Sequence, residues 1–542
     1  MLVTDLGSYM LIGIVAMSIS MILIPLMIRL APAIGMIDQP DSRKVHTEVI
    51  PRVGGIGIVI GLIVPILIWA SQDTFVQSLI IGCSVLLIFG AWDDARELSP
   101  VVKLIGQIVA ALTIVYYGDV YVFNFPFMES EEISELIGRP FTVIAIVGMI
   151  NALNLSDGLD GLAGGEALLS LLAMAYMAYQ FEGGQVLIVI VATIGGIFGF
   201  LRFNSHPARV FMGDSGSQTL GFILGSLVVY MSQNLNSAIS PVVPLLLLGL
   251  PVIDSIVVFA LRAHRGTSLV TAAKDHLHHR LLARGFYHYE SVMIIYTLQV
   301  VLVVSAIFLP YESDALLMLI YFGTCFLAFA LLIFSEKINW CAHDEVFQFP
   351  NFLVGVFGKN DTIIAIPYRM LKTGISLFVV SAAIMSVDVP VDFGVSSLFL
   401  LLVVMASKWF GHNLYRLVMF ITIGFSVYLL STYPPVWLLD KISLVYLFFI
   451  SITILTFINA RLIVKEQFQV TPLDYLVVVM AVVVSAVPGI DQGASSLVWI
   501  VVQMIILFYA CELVIQNMKG HLNSCTGAIA LALALIAYRG LV

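Results

Sequence analysis

The chain alternates long apolar runs with short polar segments. A helix crossing a hydrocarbon core of about 30 Å needs roughly 20 apolar residues. On that measure the runs predict spans near 9–32, 53–71, 76–92, 101–117, 141–155, 163–181, 186–202, 218–236, 241–262, 291–309 and 315–335. A mixed segment follows at 336–370, and about seven further apolar runs then reach Val542. The expected fold is an all-α polytopic membrane protein. It comprises a membrane core of about eleven helices (1–335), a cytoplasmic connecting segment (336–370) and a C-terminal transmembrane extension of unknown role (371–542).

Composition agrees with that class. Hydrophobic residues make up 60% of the chain and charged residues 11%, and the mean hydropathy is +1.04. A soluble domain carries about 25% charged residues, so this chain has too little polar material to cover a globule of its size. The five cysteines are scattered without a CxxC spacing, which points to packing rather than disulfides or zinc. Asp5 is the only early charge, and the first apolar run is full length, so it reads as a span and not as a cleavable leader.

Charge fixes the expected orientation. With the N-terminus outside, the cytoplasmic segments are 33–52, 93–100, 156–162, 203–217, 263–290 and the stretch after 335. Of the fifteen Lys and Arg residues up to Lys337, all but Arg139 lie in or beside those segments. The positive-inside rule therefore supports both the orientation and the span count.

The unusual polar clusters fall on that same side. They are DQPDSRKVH (38–46) with PRVGG (51–55), WDD (92–94) with Lys103 nearby, NALNLSDGLDG (151–161), FMGDSGS (211–217) and DHLHHR (275–280). Singly, each has a plain structural reading. Asp93 and Asp94 can end a helix in water, Asp214 can cap the next helix, and the histidines can sit in a solvated loop. Together they place Asp93, Asp94, Asp157, Asp160 and Asp214 near one another, where mutual repulsion invites a hard divalent cation. Arg43, Lys44, Arg52, Lys103, Arg202, Arg262 and Arg265 suit phosphate oxygens, and the glycines let backbone N–H groups approach an anion. Carboxylates, a metal and cationic clamps at a membrane face suggest phosphoryl transfer.

From about residue 1 to 335 the blocks DQPDSRKVH…PRVGGIGI, WDDARELSPVVKLIGQ, NALNLSDGLDGLAGG, FNSHPARVFMGDSGSQTLGF, PVIDSIVVFALRAHRG and DHLHHRLL occur in family order. The chain resembles the bacterial polyprenyl-phosphate N-acetylhexosamine-1-phosphate transferases (the MraY/WecA-type superfamily, glycosyltransferase 4 family). The H-L-H-H form and the PRVGG block look more like the WecA branch. The resemblance implies transfer of a sugar 1-phosphate, with GlcNAc-1-phosphate favoured, from a UDP-N-acetylhexosamine to undecaprenyl phosphate. UMP is released, Mg²⁺ is used with Mn²⁺ as a substitute, and the setting is the bacterial inner membrane. It implies catalytic roles for Asp93, Asp94, Asp214, His276, His278 and His279, with Asp94 and Asp214 at the metal. Nucleotide-sugar contacts fall to Asn154, Asp157, Asp160, Asn204, Phe211, Lys103 and Arg265. Lys44 and Arg52 are assigned to the lipid phosphate.

Alternatives stay open at this point. One is the muramoyl-pentapeptide transferase of peptidoglycan synthesis. Another is a transporter, which would place its polar groups near the bilayer midplane in related halves, whereas these lie at one edge. The C-terminal third either docks a membrane protein of the polysaccharide pathway or has no catalytic part. A homodimer is left open, and no nucleic-acid partner is expected.

Overall fold

The computed structural model describes residues 6–40, 48–128, 132–266, 275–343, 361–410, 412–439, 441–462 and 523–542, with scattered positions from 500 to 514. Each of the eleven predicted core spans is a helix. These are α1 (Leu6–Ile34), α2 (Gly54–Trp69), α3 (Thr74–Arg96), α4 (Pro100–Leu112), α5 (Glu135–Ser156) and α6 (Leu162–Gln180). Next come α7 (Gly184–Asn204), α8 (Gly213–Tyr230), α9 (Val243–Arg265), the short α10 (Leu277–Ala283), α11 (His288–Phe308) and α12 (Asp314–Lys337). Helices α4 and α8 each run on into a π-helical turn, at Thr113–Tyr117 and Met231–Leu235. Among the described residues, ten helices are long and apolar enough to cross a membrane. The chain is an all-α, multi-pass membrane protein.

Two helices, α5 and α8, start five or six residues earlier than hydropathy predicts, because polar first turns find partners elsewhere. Helix α5 begins at Glu135, and its Arg139 donates to Glu135, to Asp119 and to the Val115 carbonyl at 3.0, 2.6 and 2.7 Å. Helix α8 begins at Gly213, so GDSGS is helical rather than loop. Gly213 has φ +70°, a left-handed entry that glycine tolerates without Cβ strain.

Helix α8 is the axis of this unit. Every residue from Ser215 to Val229 is buried, with α3 and α5 packed along it and α2 against both it and α7. A side chain at Gly55 would overlap the backbone of Ser215 and Gly216, and one at Gly90 that of Asp214 and Ser215. Small residues there let α2 and α3 grip the start of α8 directly, as membrane helices often do. A two-residue antiparallel pair, β1 (Ile37–Asp38) with β2 (Ile50–Pro51), closes the base of the first polar segment. The Phe211 N–H then donates to Pro51 O at 2.8 Å, and the Gly54 N–H to Phe211 O at 3.0 Å. These bonds fasten the residues around Arg52 to those just before α8.

By contacts the chain divides into two compact units, one running from Ile12 through α12 and one built on the later helices. The second contains α13 (Asp361–Met385), α14 (Val391–Phe410), α15 (His412–Thr432), α16 (Val436–Leu439), α17 (Ile442–Leu462) and α18 (Asn523–Leu541). Helix α13 starts within the expected connecting segment; residues 344–360 of that segment lie outside the described residues. Within this unit Arg539 of α18 donates to the Ala383 and Ile384 carbonyls at 2.8 and 2.9 Å, satisfying the carbonyl end of α13.

Candidate active site

Three carboxylates and one lysine meet where α3, α4 and α8 converge. The Asp94 side chain, 5% exposed, accepts the N–H groups of Asp214 and Ser215 at 2.8 and 3.1 Å. It thus caps α8 from another helix and adds negative charge where the helix dipole is positive. Asp93 accepts the Leu98 N–H at 2.6 Å and an ion pair from Lys103 Nζ at 2.6 Å. Lys103 also reaches Asp214 Oδ2 at 2.9 Å, so one ammonium bridges two carboxylates. Asp214 further accepts from Asn154 Nδ2 at 3.1 Å and Gln218 Nε2 at 2.9 Å.

A cleft of about 730 Å³ opens beside this cluster. It is lined by Arg52, Asp94, Asn154, Asp157, Asp160, Asn204, Phe211, Asp214 and His279 among the sequence-derived candidates. Buried Asn204 holds the glycine-rich segment in place, accepting the Gly161 N–H at 2.8 Å and donating to Val210 O at 2.9 Å. Tyr296 donates to Gly161 O at 2.6 Å. Arg52 pairs with Asp38, which also lines the cleft. Lys44 lies outside the described residues.

The histidine segment is anchored by Asp254 of α9. Its carboxylate meets His276 Nδ1 at 2.9 Å and accepts the Leu277 N–H at 2.9 Å. His278 packs on Gly158, where a Cβ would overlap its ring, so this segment abuts the loop that carries Asp157 and Asp160. Of the three histidines, His279 lines the cleft. Arg265 does not line it. It pairs with Asp275 at 2.9 Å and borders a separate, largely apolar cavity of about 690 Å³ between α9 and α12.

Electrostatics separate the two loop aspartates. Burial, with the Asp214 and Asp160 charges adding repulsion, pushes Asp157 up to about 7. Burial also opposes ionisation of Asp160, but the His206 hydrogen bond, the His288 charge and the Ala208 N–H outweigh it and hold that acid below its ordinary value. Burial and the neighbouring histidines keep His278 well below the ordinary histidine value, so it is neutral at pH 7. Sequence reasoning missed His206 and His288, which line the cleft and flank Asp160. Each is a lone histidine outside any cluster, and no local spacing marks it.

The donor set fits Mg²⁺. Asp94 and Asp214 line the cleft, and the Lys103 ammonium already lies between Asp93 and Asp214, which marks the spot as one that draws positive charge. Hard carboxylate oxygens with room for water and phosphate are what this ion takes.

A multi-pass helical protein whose acids, amides and bases share one cleft at the helix ends is a membrane-embedded enzyme in architecture. A model of glycosyl transferase family 4 matches residues 76–232, the stretch holding α3 to α8. The chain is 37% identical over 332 residues to a Bacillus subtilis (strain 168) protein named "Probable undecaprenyl-phosphate N-acetylglucosaminyl 1-phosphate transferase", covering 60% of this chain and 89% of that one. It is 30% identical to a decaprenyl-phosphate N-acetylglucosaminephosphotransferase of Mycolicibacterium smegmatis, over 49% of this chain and 73% of the relative. An undecaprenyl-phosphate alpha-N-acetylglucosaminyl 1-phosphate transferase of Escherichia coli O157:H7 is 29% identical, over 58% and 86%. The chain belongs to glycosyl transferase family 4, within the polyprenyl-phosphate N-acetylhexosamine-1-phosphate transferase superfamily.

Proposed function

We propose that the protein transfers GlcNAc 1-phosphate from UDP-GlcNAc to undecaprenyl phosphate, releases UMP, and so starts a lipid-linked surface polysaccharide. The observation that carries this reading is the cleft. Through Asp214 it adjoins the Asp93–Lys103–Asp214 cluster, and it runs from there to a loop of amide and carboxylate groups, beside a segment that bears Arg52. The names of the relatives favour a GlcNAc donor over the muramoyl-pentapeptide one. The distribution of Lys and Arg supports a cytoplasmic cleft in the inner membrane, with the N-terminus outside.

In this reading an oxygen of the lipid phosphate bonds to the sugar-bearing phosphorus. The bond from that phosphorus to the bridging oxygen breaks, and its electron pair leaves on UMP, with no net proton transfer. Direct displacement suits an acceptor that is already an anionic oxygen nucleophile. Mg²⁺, held by Asp214 and Asp94, would neutralise phosphate charge. Lys103, fixed between Asp93 and Asp214, supplies a positioned cation to the diphosphate. Asp93, buried beside the cleft and paired with Lys103, is assigned to the acceptor phosphate, and Arg52 to clamping it. Phe211 offers a ring for uracil, while Asn154, Asp157, Asp160 and Asn204 set the nucleotide's place. His279 orients the sugar side, and Asp254 fixes the segment that carries it.

The test is UMP release by purified protein given Mg²⁺, undecaprenyl phosphate and a panel of UDP-sugars. UDP-GlcNAc should be the preferred donor. No UMP from any UDP-N-acetylhexosamine would remove the reading, and preference for the muramoyl-pentapeptide donor would move the chain to the other branch.

A further inference from the structure

Asp160, His206 and His288 come from three separate parts of the chain and meet on one wall of the cleft. Each offers a ligand atom, and these atoms all lie within 4.8 Å of one another. His206 Nδ1 is 2.7 Å from Asp160 Oδ2, and His288 Nε2 is 4.0 Å from the same oxygen. The two imidazole rings stack with centroids 4.1 Å apart. We propose that this cluster is a binding site for a divalent transition metal of the Zn²⁺ class, separate from the hard-oxygen site at Asp94 and Asp214.

The chemistry selects the ion. Two imidazoles and one carboxylate, with a fourth position open to the cleft, match the ligand set of four-coordinate zinc. Mg²⁺ prefers an all-oxygen octahedron and takes imidazole poorly. With bonds of about 2.0–2.1 Å, tetrahedral donors sit about 3.3 Å apart. The 2.7 Å His206–Asp160 separation therefore widens slightly and the longer ones, 4.0 Å and at most 4.8 Å, close by up to about 1.5 Å through side-chain rotation. His206 is free to make that movement, since its side chain is 41% exposed and lies in the segment between α7 and α8. Binding displaces two hydrogen bonds, the Asp160 N–H to His288 Nε2 at 3.1 Å and the one between His206 Nδ1 and Asp160 Oδ2 at 2.7 Å, and metal–ligand bonds replace both. A cation here sits against the loop that carries Asp157 and Asp160, so occupancy obstructs the cleft. Micromolar Zn²⁺ should then inhibit whatever enters it.

The site is tested by binding, which does not depend on the transferase reading. Co²⁺ is titrated into the purified full chain in detergent with excess Mg²⁺ present, and the visible d–d absorption of tetrahedral cobalt is followed. One equivalent should bind and be displaced by Zn²⁺. His206→Gln and His288→Gln should each weaken binding at least tenfold, whereas His279→Gln, in the other histidine cluster, should leave the band in place. His206→Gln alters a partly exposed side chain, so it decides the matter if His288→Gln fails to fold. No cobalt band in the wild type, an unchanged band in His206→Gln, or a band lost only in His279→Gln would overturn the site.

Discussion

Replacing Lys103 by methionine strikes the cluster on which the proposed chemistry depends. The ammonium lies 2.6 Å from Asp93 Oδ2 and 2.9 Å from Asp214 Oδ2, with the Asp93 side chain 7% and the Asp214 side chain 21% exposed. Methionine keeps the length of the side chain and removes the charge, which leaves two carboxylates facing each other. At a separation of about 4–5 Å and an effective dielectric near 20, their repulsion is about 3–4 kcal/mol. Removing one partner of a buried pair costs about 3–5 kcal/mol in general. Lys103 is itself 32% exposed, so water screens part of the loss, and about 2 kcal/mol is the expected destabilisation. Unfolding of the purified variant in detergent would measure it. Adding Asp93→Asn to Lys103→Met removes one of the opposed charges and should restore more than half of the lost stability. A double variant no more stable than the single one would refute the bridging-cation account, because the penalty would then come from lost packing.

Asp94→Ala should cost about 2–3 kcal/mol, since two N–H groups at the start of α8 lose their acceptor together; a thermal-unfolding midpoint equal to wild type would contradict the capping role. Asp214→Asn should lower turnover by at least ~10²-fold, and His279→Ala should lower it less; steady-state rates in the reverse order would demote the carboxylate. Asp157 ionises at about 7 in the fold against an ordinary 3.8, so the unfolded chain sheds its proton first and the wild type loses stability as pH rises from about 4 to 7. Asp157→Asn, which does not titrate, should therefore gain on the wild type in melting temperature across that window, measured in chelator, and level off above it. A difference independent of pH would show that burial does not perturb this acid.

The helical core was legible because lipid leaves a chain so few ways to satisfy its backbone, and each apolar run of the first unit became one helix. Legibility failed where polar residues are helical. GDSGS reads as a loop along the sequence, yet it is the first turn of α8 because Asp94, far away in the chain, caps it. Glu135–Pro140 likewise joins α5 once Arg139 finds Asp119 and the Val115 carbonyl. The gathering of acids and amides could be expected from their common side, since a threaded chain brings one set of loops together. Which residues reach the cleft could not be read, because that depends on side-chain direction. Arg265 turns to Asp275, while His206 and His288 converge on Asp160 through a fold that no spacing encodes.

The sharpest test follows a labelled phosphorus atom. UDP-GlcNAc carrying ³²P only in its β-phosphate is incubated with the purified chain, undecaprenyl phosphate and Mg²⁺. The label should pass wholly into the lipid fraction, leave UMP unlabelled, and stay in the donor with Asp214→Asn. Label released as free phosphate or retained in a nucleotide product, or transfer unaffected by the Asp214 change, would mean that this cleft does not join a sugar phosphate to a lipid.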